Sequence, residues 1–435
     1  VGRLGARRRP REIHRQQGLL TPAWLRYAPL LMVGAHVLLA LAYNAATPFG
    51  NNGYANTPDE GAHFQYVAYV AREWRLPVFE GYEGVGYEAH QPPLYYFLAG
   101  VVYHLVGGAG KGVRLLSTLC SAGVVWLTWL IARRLFPQNM PLVLSAMAFV
   151  AFLPMHLAIG ASVNNDALTN LLFAGVLYAF ALPPAAAPWR DGVRFGVLLG
   201  LALLTKATAL ILVPTIVIGL ALRYGRAWRA TLIALALTLA MAGVLSGWWF
   251  VRNAMLYEDP LLQKTFMRVF AGTAKAEDFY AQGMSVGEYA RLVADWTFRS
   301  FWFAYGTPQT ARTGLPNFLP DSVYWGLLAW CGLALVGLGM RALQSLKNRS
   351  PAEPTRRVWW IVAGVLTGLV LASFVLFVRV FFQTQGRYFY PALVPIALTL
   401  TLGWEGLFPA ERRALANGAL GALWLLLALG CWRYL

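Results

Sequence analysis

Apolar runs of about twenty residues recur along nearly the whole chain, the length a helix needs to cross the hydrocarbon core of a bilayer. In lipid every backbone N–H and C=O must find its partner within the protein, so such runs fold as packed helices. The runs fall at roughly 28–46, 113–132, 140–160, 165–183, 192–205, 207–222, 229–250, 322–340, 358–378, 388–407 and 414–433. The expectation is an all-α polytopic membrane protein of about eleven crossings, a single transmembrane domain over 1–435. The stretch 195–222 is too long for one crossing and is interrupted at Thr205–Lys206, so it reads as two crossings that meet at the membrane surface. Only 13% of the residues are charged, about half the share of a soluble domain. That excludes a soluble enzyme, a disordered chain and a secreted disulfide scaffold. Cys120, Cys331 and Cys431 sit far apart in apolar runs, without zinc or disulfide spacing, and read as small core residues.

The position of the charge says more than its total of +17. Nearly all of it lies in short basic clusters between apolar runs. The block Arg3, Arg7, Arg8, Arg9, Arg11 and Arg15 precedes the first run, and no small-residue cleavage site follows it. It reads as a cytoplasmic anchor touching anionic lipid rather than as a nucleic-acid arm. The Lys/Arg bias then places the N-terminus in the cytoplasm and the C-terminus outside. On that topology two segments, 47–112 and 251–321, are long and lie on the outer face, while the inner loops are short. A carrier with its site at the bilayer midplane needs no such segments. Their length points to chemistry on the extracytoplasmic side.

In the first outer segment, Thr57-Pro58-Asp59-Glu60 has the form of a helix start: threonine N-cap, proline at the first helical position, glutamate closing a capping box. Phe64, Val67, Ala71 and Trp74 recur on one face, which predicts an amphipathic surface helix. Asp59 and His63 are four apart and share a face. Glu60 is open to two roles, cap or catalyst, whereas capping does not require Asp59. Further on, Glu88, His90 and Gln91 stand directly before Pro92-Pro93, the rigid start of a second surface helix. A carboxylate and an imidazole there, opposite Asp59, suit either acid/base work or a divalent metal held by Asp59, Glu88 and His90.

The order Pro-Asp-Glu-x-x-His-Phe, then His-Gln-Pro-Pro-Leu, resembles the GT-C superfamily of polyprenyl-phosphate-dependent glycosyltransferases. It is similar to the protein O-mannosyltransferase and lipid A aminoarabinose transferase branch, and to an uncharacterised family of predicted bacterial and archaeal membrane proteins. The resemblance implies that Asp59 is the catalytic acidic residue. Glu88 or His90 would take the place of the second acidic residue before Pro-Pro. The lipid A branch has Glu-Lys at that point, where this chain has His90-Gln91.

Polar residues also gather at the expected outer ends of later crossings. Asn164, Asn165 and Asp166 open the fourth, beyond what a helix cap needs. Lys206 interrupts an apolar run, Arg252 and Asn253 close the seventh, and Gln385-Gly386-Arg387-Tyr388 opens the tenth. Cations on this side do not serve the positive-inside rule. A lipid phosphate is their natural partner, arginine offering a planar fork for its oxygens, and Gly386 is expected to let the backbone bend toward it. Gln-Gly-Arg-Tyr also matches the uncharacterised family, and the resemblance implies lipid-phosphate binding there. The expected donor-phosphate set is thus Lys206, Arg252, Arg387 and Tyr388. The expected substrate contacts are His63, Gln91, Asn164, Asn165, Asp166, Asn253 and Gln385. His14, His36, His104 and His156 lack ligand-like neighbours and read as structural. No phosphate loop or dinucleotide fingerprint argues for a nucleotide-sugar donor. The expected function is transfer of a sugar from a polyprenyl-phosphate donor to a glycan, lipid or protein acceptor, with membrane lipid around the chain and no nucleic acid. The alternatives are a ligase or polymerase of lipid-linked glycans, or a non-enzymatic lipid-glycan flippase or carrier.

Overall fold

A computed structural model describes residues 26–50, 57–306, 316–348 and 353–435. The N-terminal arginine block lies outside the described residues. Each of the eleven expected crossings contains a helix. Seven helical stretches are by themselves long and apolar enough to cross a membrane among the described residues. A bent pair, Met140–Phe152 and Pro154–Gly160, adds an eighth, broken by 57° where Pro154 cannot continue the first helix. The chain is a multi-pass helical membrane protein. Its only described strands are two residues each, Ala304–Tyr305 paired with Asn317–Phe318.

Helix α1 (Ala28–Ala46) precedes α2 (Glu60–Glu73) and α3 (Leu94–Leu105), the two helices expected in segment 47–112. These two pack on each other, and α2 is not the free membrane-facing stripe expected. Val67 and Ala71 are buried, whereas Trp74 is 61% exposed and stacks on His104. The capping box is likewise absent. Asp59 is the N-cap, no side chain caps the helix, and Glu60 turns inward. Helix α4 (Leu115–Leu135) and α5 (Met140–Phe152) form the centre of the bundle with α6 (Asp166–Ala181) and the last two helices, α13 (Leu393–Gly406) and α14 (Arg413–Trp432).

The run 195–222 breaks where expected. Helix α7 (Pro188–Leu203) ends, Lys206 is extended, and a 3-10 turn at Ala207–Ile211 leads into α8 (Leu212–Tyr224). Gly192, Gly196 and Gly200 line one face of α7 against α9 (Trp228–Tyr257). A Cβ at Gly192 would stand 2.8 Å from Ala234 O, and one at Gly196 2.8 Å from Thr238 O. Membrane helices gain little from hydrophobic exclusion and associate through such close backbone contact. The described part of segment 251–321 is mostly helical too, with α10 (Val286–Trp302) starting at a Ser285/Glu288 capping box. Helices α11 (Asp321–Asn348) and α12 (Pro354–Val380) precede the 3-10 turn Gly386–Ala392.

Candidate functional site

A cavity of about 970 Å³ opens at the end of the bundle where α2, the Tyr87–His90 turn, the Lys206 break and the Gly386–Ala392 turn converge. Its polar part is lined by Asp59, His63, Tyr87, Glu88, His90, Gln91, Asp166, Lys206 and Arg387. Phe266, Phe270, Val370, Phe374, Phe377 and Phe381 line the apolar part. One chamber thus joins a charged end to a hydrocarbon-like wall.

Arg387 is the centre of the charged end. It is 4% exposed and bridges two acids, donating to Asp59 Oδ2 at 3.0 Å and to Asp166 Oδ2 at 2.6 Å. Lys206 pairs with the other oxygen of Asp166, and Tyr87 OH donates to Asp59 Oδ1 at 3.0 Å. Four charged groups from four chain segments therefore form one ladder: Asp59, Arg387, Asp166, Lys206. Gln385 accepts from Arg387 Nε at 2.5 Å and so orients the guanidinium without lining the cavity. Gly386 keeps negative φ and is not a bend. It is needed because a Cβ there would collide with the Phe301 backbone of α10. Tyr388 lines the cavity with the Arg387 guanidinium 5.2 Å from its ring centre.

Asp59 has φ +61°, a left-handed conformation that L-residues seldom adopt and aspartate tolerates better than most. That turn points Asp59 into the cavity and its neighbour away from it. Glu60 is fully buried against Arg114, which donates from Nε to Oε1 at 2.7 Å and from Nη2 to Oε2 at 2.6 Å. Glu60 also accepts from Val163 N and Gly50 N, and Arg114 donates further to the carbonyls of Asn44, Thr47 and Pro48. Both roles weighed for Glu60, cap and catalyst, give way to that of a structural tie.

Glu88 lies 3.8 Å from His63 Nδ1, whose nearer partner is Tyr96 OH at 2.8 Å. Burial, then the Asp59 charge, push the Glu88 carboxyl up to about 8. Burial holds His63 well below the usual imidazole range and brings His90 down to about 4, so both rings are neutral at pH 7. His90 Nδ1 bonds Tyr87 O at 2.7 Å, and its ring centre lies 5.3 Å from that of Phe79 and 5.1 Å from that of Phe266. Among the described residues, Asp59, Glu88 and His90 do not gather as one donor set. Among the described residues no three His, Cys, Asp or Glu side chains are grouped to hold a metal ion. The metal set expected from the sequence does not fit this arrangement.

Of the other expected contacts, Gln91 and Asn253 line the cavity. Asn164 and Asn165 do not: Asn164 donates to Pro58 O and caps Asp166 N, while Asn165 ties Gln91 to Thr205 O. Arg252 is also outside the lining. Its guanidinium donates to Pro77 O at 2.6 Å and lies over the Trp249 ring, so the expected three-cation clamp loses one member. In exchange, Lys275 and Arg379 line the chamber and were not singled out in the sequence. Arg379 ends an apolar helix, the same signal that drew attention to Arg252.

Fold and chamber define a multi-pass helical membrane protein with one cavity that is charged at one end and apolar along the other. Residues 90–250 match the family model described as dolichyl-phosphate-mannose-protein mannosyltransferase, a stretch that begins at His90 and includes neither Asp59 nor Arg387. Comparison with curated protein sequences gives no match. The fold is that of the Archaeoglobus fulgidus oligosaccharyltransferase solved with zinc and sulfate, at TM-score 0.52 and 14% identity, covering 91% of this chain and 52% of that one. It is equally that of archaeal AglB from Archaeoglobus fulgidus in complex with an inhibitory peptide and a dolichol-phosphate, at TM-score 0.53 and 13% identity, covering 94% and 55%. This chain thus spans about half the length of those proteins. A match to ArnT from Cupriavidus metallidurans bound to undecaprenyl phosphate has TM-score 0.41 at 18% identity, covering 92% and 79%. The shared fold and the partial family match agree with the resemblance drawn from the short motifs.

Proposed function

We propose that this chain is a membrane glycosyltransferase that takes a sugar from a polyprenyl-phosphate carrier and passes it to an acceptor hydroxyl on the extracytoplasmic face. The observation that carries the reading is the single chamber with Asp59, Arg387, Asp166 and Lys206 at one end and an apolar wall along the other. A prenyl chain suits the wall and its phosphate suits the cations. The match of residues 90–250 to the mannosyltransferase model and the dolichol-phosphate bound by AglB support the same donor class.

In this mechanism Asp59 receives the acceptor's hydroxyl proton as the acceptor oxygen bonds to the anomeric carbon. The bond from that carbon to the phosphate oxygen breaks, and its electron pair leaves with the phosphate. Arg387 and Lys206 stabilise the departing charge. Attack and departure lie on opposite faces of the sugar, so the configuration inverts, as the GT-C resemblance implies. Arg387 touches both Asp59 and Asp166 at rest, so the donor phosphate competes with these carboxylates for the guanidinium. Tyr87 and Arg387 together fix the Asp59 carboxylate toward the chamber. No step runs through a metal ion.

The test is release of polyprenyl phosphate from a lipid-linked sugar by the purified chain in lipid nanodiscs, read by mass spectrometry. Turnover that Asp59→Asn abolishes supports the reading. Absence of both binding and turnover for every lipid-linked sugar offered would sink it. Sidedness is read separately, by impermeant thiol labelling of cysteines placed at the exposed positions Gln65 and Glu83 in intact cells. Labelling only after lysis overturns the extracytoplasmic placement.

A further inference from the structure

Among the described residues four buried acids pair with lysine or arginine, and three of them are also tied down by uncharged donors. Glu60 accepts from Gly50 N and Val163 N besides Arg114. Glu405 accepts from Asn139 and Asn417 besides Arg341, and Asp191 from Ala185 N and Tyr224 OH besides Arg194 and Arg223. Asp166 has no such anchor among the described residues. Its carboxylate bonds only to cations, one oxygen to Lys206 and the other to Arg387 Nη1 at 2.6 Å. Asp166 is buried, and all three side chains line the chamber.

An acid with neutral donors keeps its place whatever its arginine does. One held by two cations alone can be replaced in kind by another anion, and Asp166 spans Lys206 and Arg387 as two oxygens of a phosphate would. Asp59 is placed differently. Its backbone conformation aims it into the chamber, Tyr87 OH fixes Oδ1, and it meets one cation rather than two. With all four groups in place the ladder carries no net charge, since two acids balance two cations. A phosphate arriving beside the intact ladder would meet a like charge in Asp166, and like charges repel strongly where water is excluded. Asp166 therefore has to give way before Lys206 and Arg387 can hold the phosphate. The first turn of α6, where Asp166 sits, suits a displaced carboxylate, because the backbone N–H groups of a helix start favour negative charge.

We infer that Asp166 is a resident stand-in for the donor phosphate: it holds Lys206 and Arg387 in position in the empty chamber and yields both to the donor. The inference rests on the proposed transferase reading and adds a positioning residue to its site. Asp166 makes and breaks no bond to the sugar. It sets how tightly the carrier phosphate is held and, by returning to the two cations, helps the spent carrier leave.

The experiment measures binding of undecaprenyl phosphate to the purified full chain in nanodiscs by native mass spectrometry, with undecaprenol, which lacks the phosphate, as the reference. Asp166→Asn keeps the shape of the side chain and removes the competing charge. It is expected to bind undecaprenyl phosphate at least about tenfold more tightly than the parent protein, with undecaprenol binding unchanged. A residue that merely props the two cations gives the opposite result, since its loss lets them scatter and weakens binding. Unchanged or weaker undecaprenyl phosphate binding by the folded variant, or equal tightening for undecaprenol, overturns the inference and leaves the transferase reading in place. Should Asp166→Asn fail to fold, a structure of the parent protein with undecaprenyl phosphate decides. Phosphate on Lys206 and Arg387 in place of Asp166 supports the inference, and any other arrangement overturns it. If the parent protein binds no undecaprenyl phosphate, the transferase reading itself falls, and the stand-in with it.

Discussion

Asp59 and Glu60 are adjacent acids, each paired with an arginine, and they belong to different parts of the molecule. The Glu60–Arg114 tie is dry and closed. Both side chains are inaccessible, both glutamate oxygens also meet backbone N–H groups, and the guanidinium reaches three further carbonyl groups. The Asp59–Arg387 pair faces a cavity, with the aspartate side chain 27% exposed and the guanidinium shared with a second acid. A closed pair holds chain segments together, here α1, α2, α4 and the turn before α6. An open, shared pair can exchange partners, which is what a phosphate-binding and proton-accepting site requires. The same contrast recurs elsewhere. Glu405, fully buried, is held by Asn139, Asn417 and Arg341, and Asp191 by Arg194, Arg223 and Tyr224, all outside the chamber lining.

The comparison is broken most sharply at Asp59. Asp59→Asn keeps the hydrogen-bonding shape and loses the base, so donor turnover should fall about 10²- to 10⁴-fold with the melting temperature nearly unchanged. If instead Asp59→Asn unfolds the protein and keeps residual turnover, the open pair is a second structural tie. Arg114→Met is the converse case. Removing one partner of a closed buried pair costs about 3–5 kcal/mol, so thermal unfolding in detergent should shift down strongly. A stable Arg114→Met protein that lacks only turnover would place Glu60 in the chemistry after all.

Smaller effects separate the cations. Arg387→Lys offers a point charge where a fork bridges two acids, and donor affinity should weaken about ten- to a hundredfold, the worth of one or two charge-assisted bonds. Arg252→Lys should leave binding within about threefold, since Arg252 is occupied with Pro77 O. Equal losses in native mass spectrometry of bound prenyl phosphate would restore the three-cation clamp. The least disruptive change is Glu88→Gln. The folded protein holds the Glu88 proton up to about pH 8, whereas an unfolded chain releases it near 4.5. The folded state binds the extra proton between these values, so the Glu88 contribution to stability falls as pH rises across that window and levels off above about 8. Glu88→Gln mimics the neutral acid and should flatten this dependence in thermal melts between pH 5 and 9. An unchanged melting profile would show that Glu88 is ionised in the folded protein.

Much of this molecule is written in local pattern. The length of the apolar runs requires helices because lipid satisfies no backbone group, and the break at Lys206 follows from a charge inside an apolar stretch. Asp59 stood out because a helix start did not need it, and Arg387 because a cation at that end of a span has no topological purpose. What local pattern could not hold is which charge meets which. Glu60 is claimed by Arg114, fifty-four positions away in sequence, and Arg252 by the Pro77 carbonyl. Asp166 became the counterion of both Lys206 and Arg387 only when α6, α7 and the Gly386–Ala392 turn met. Tyr87, Lys275 and Arg379 joined the chamber in the same way. Sequence spacing orders residues along one helix face, whereas the pairing of buried charges depends on which helices approach, how closely their glycines let them, and which acceptors remain once the backbone is satisfied.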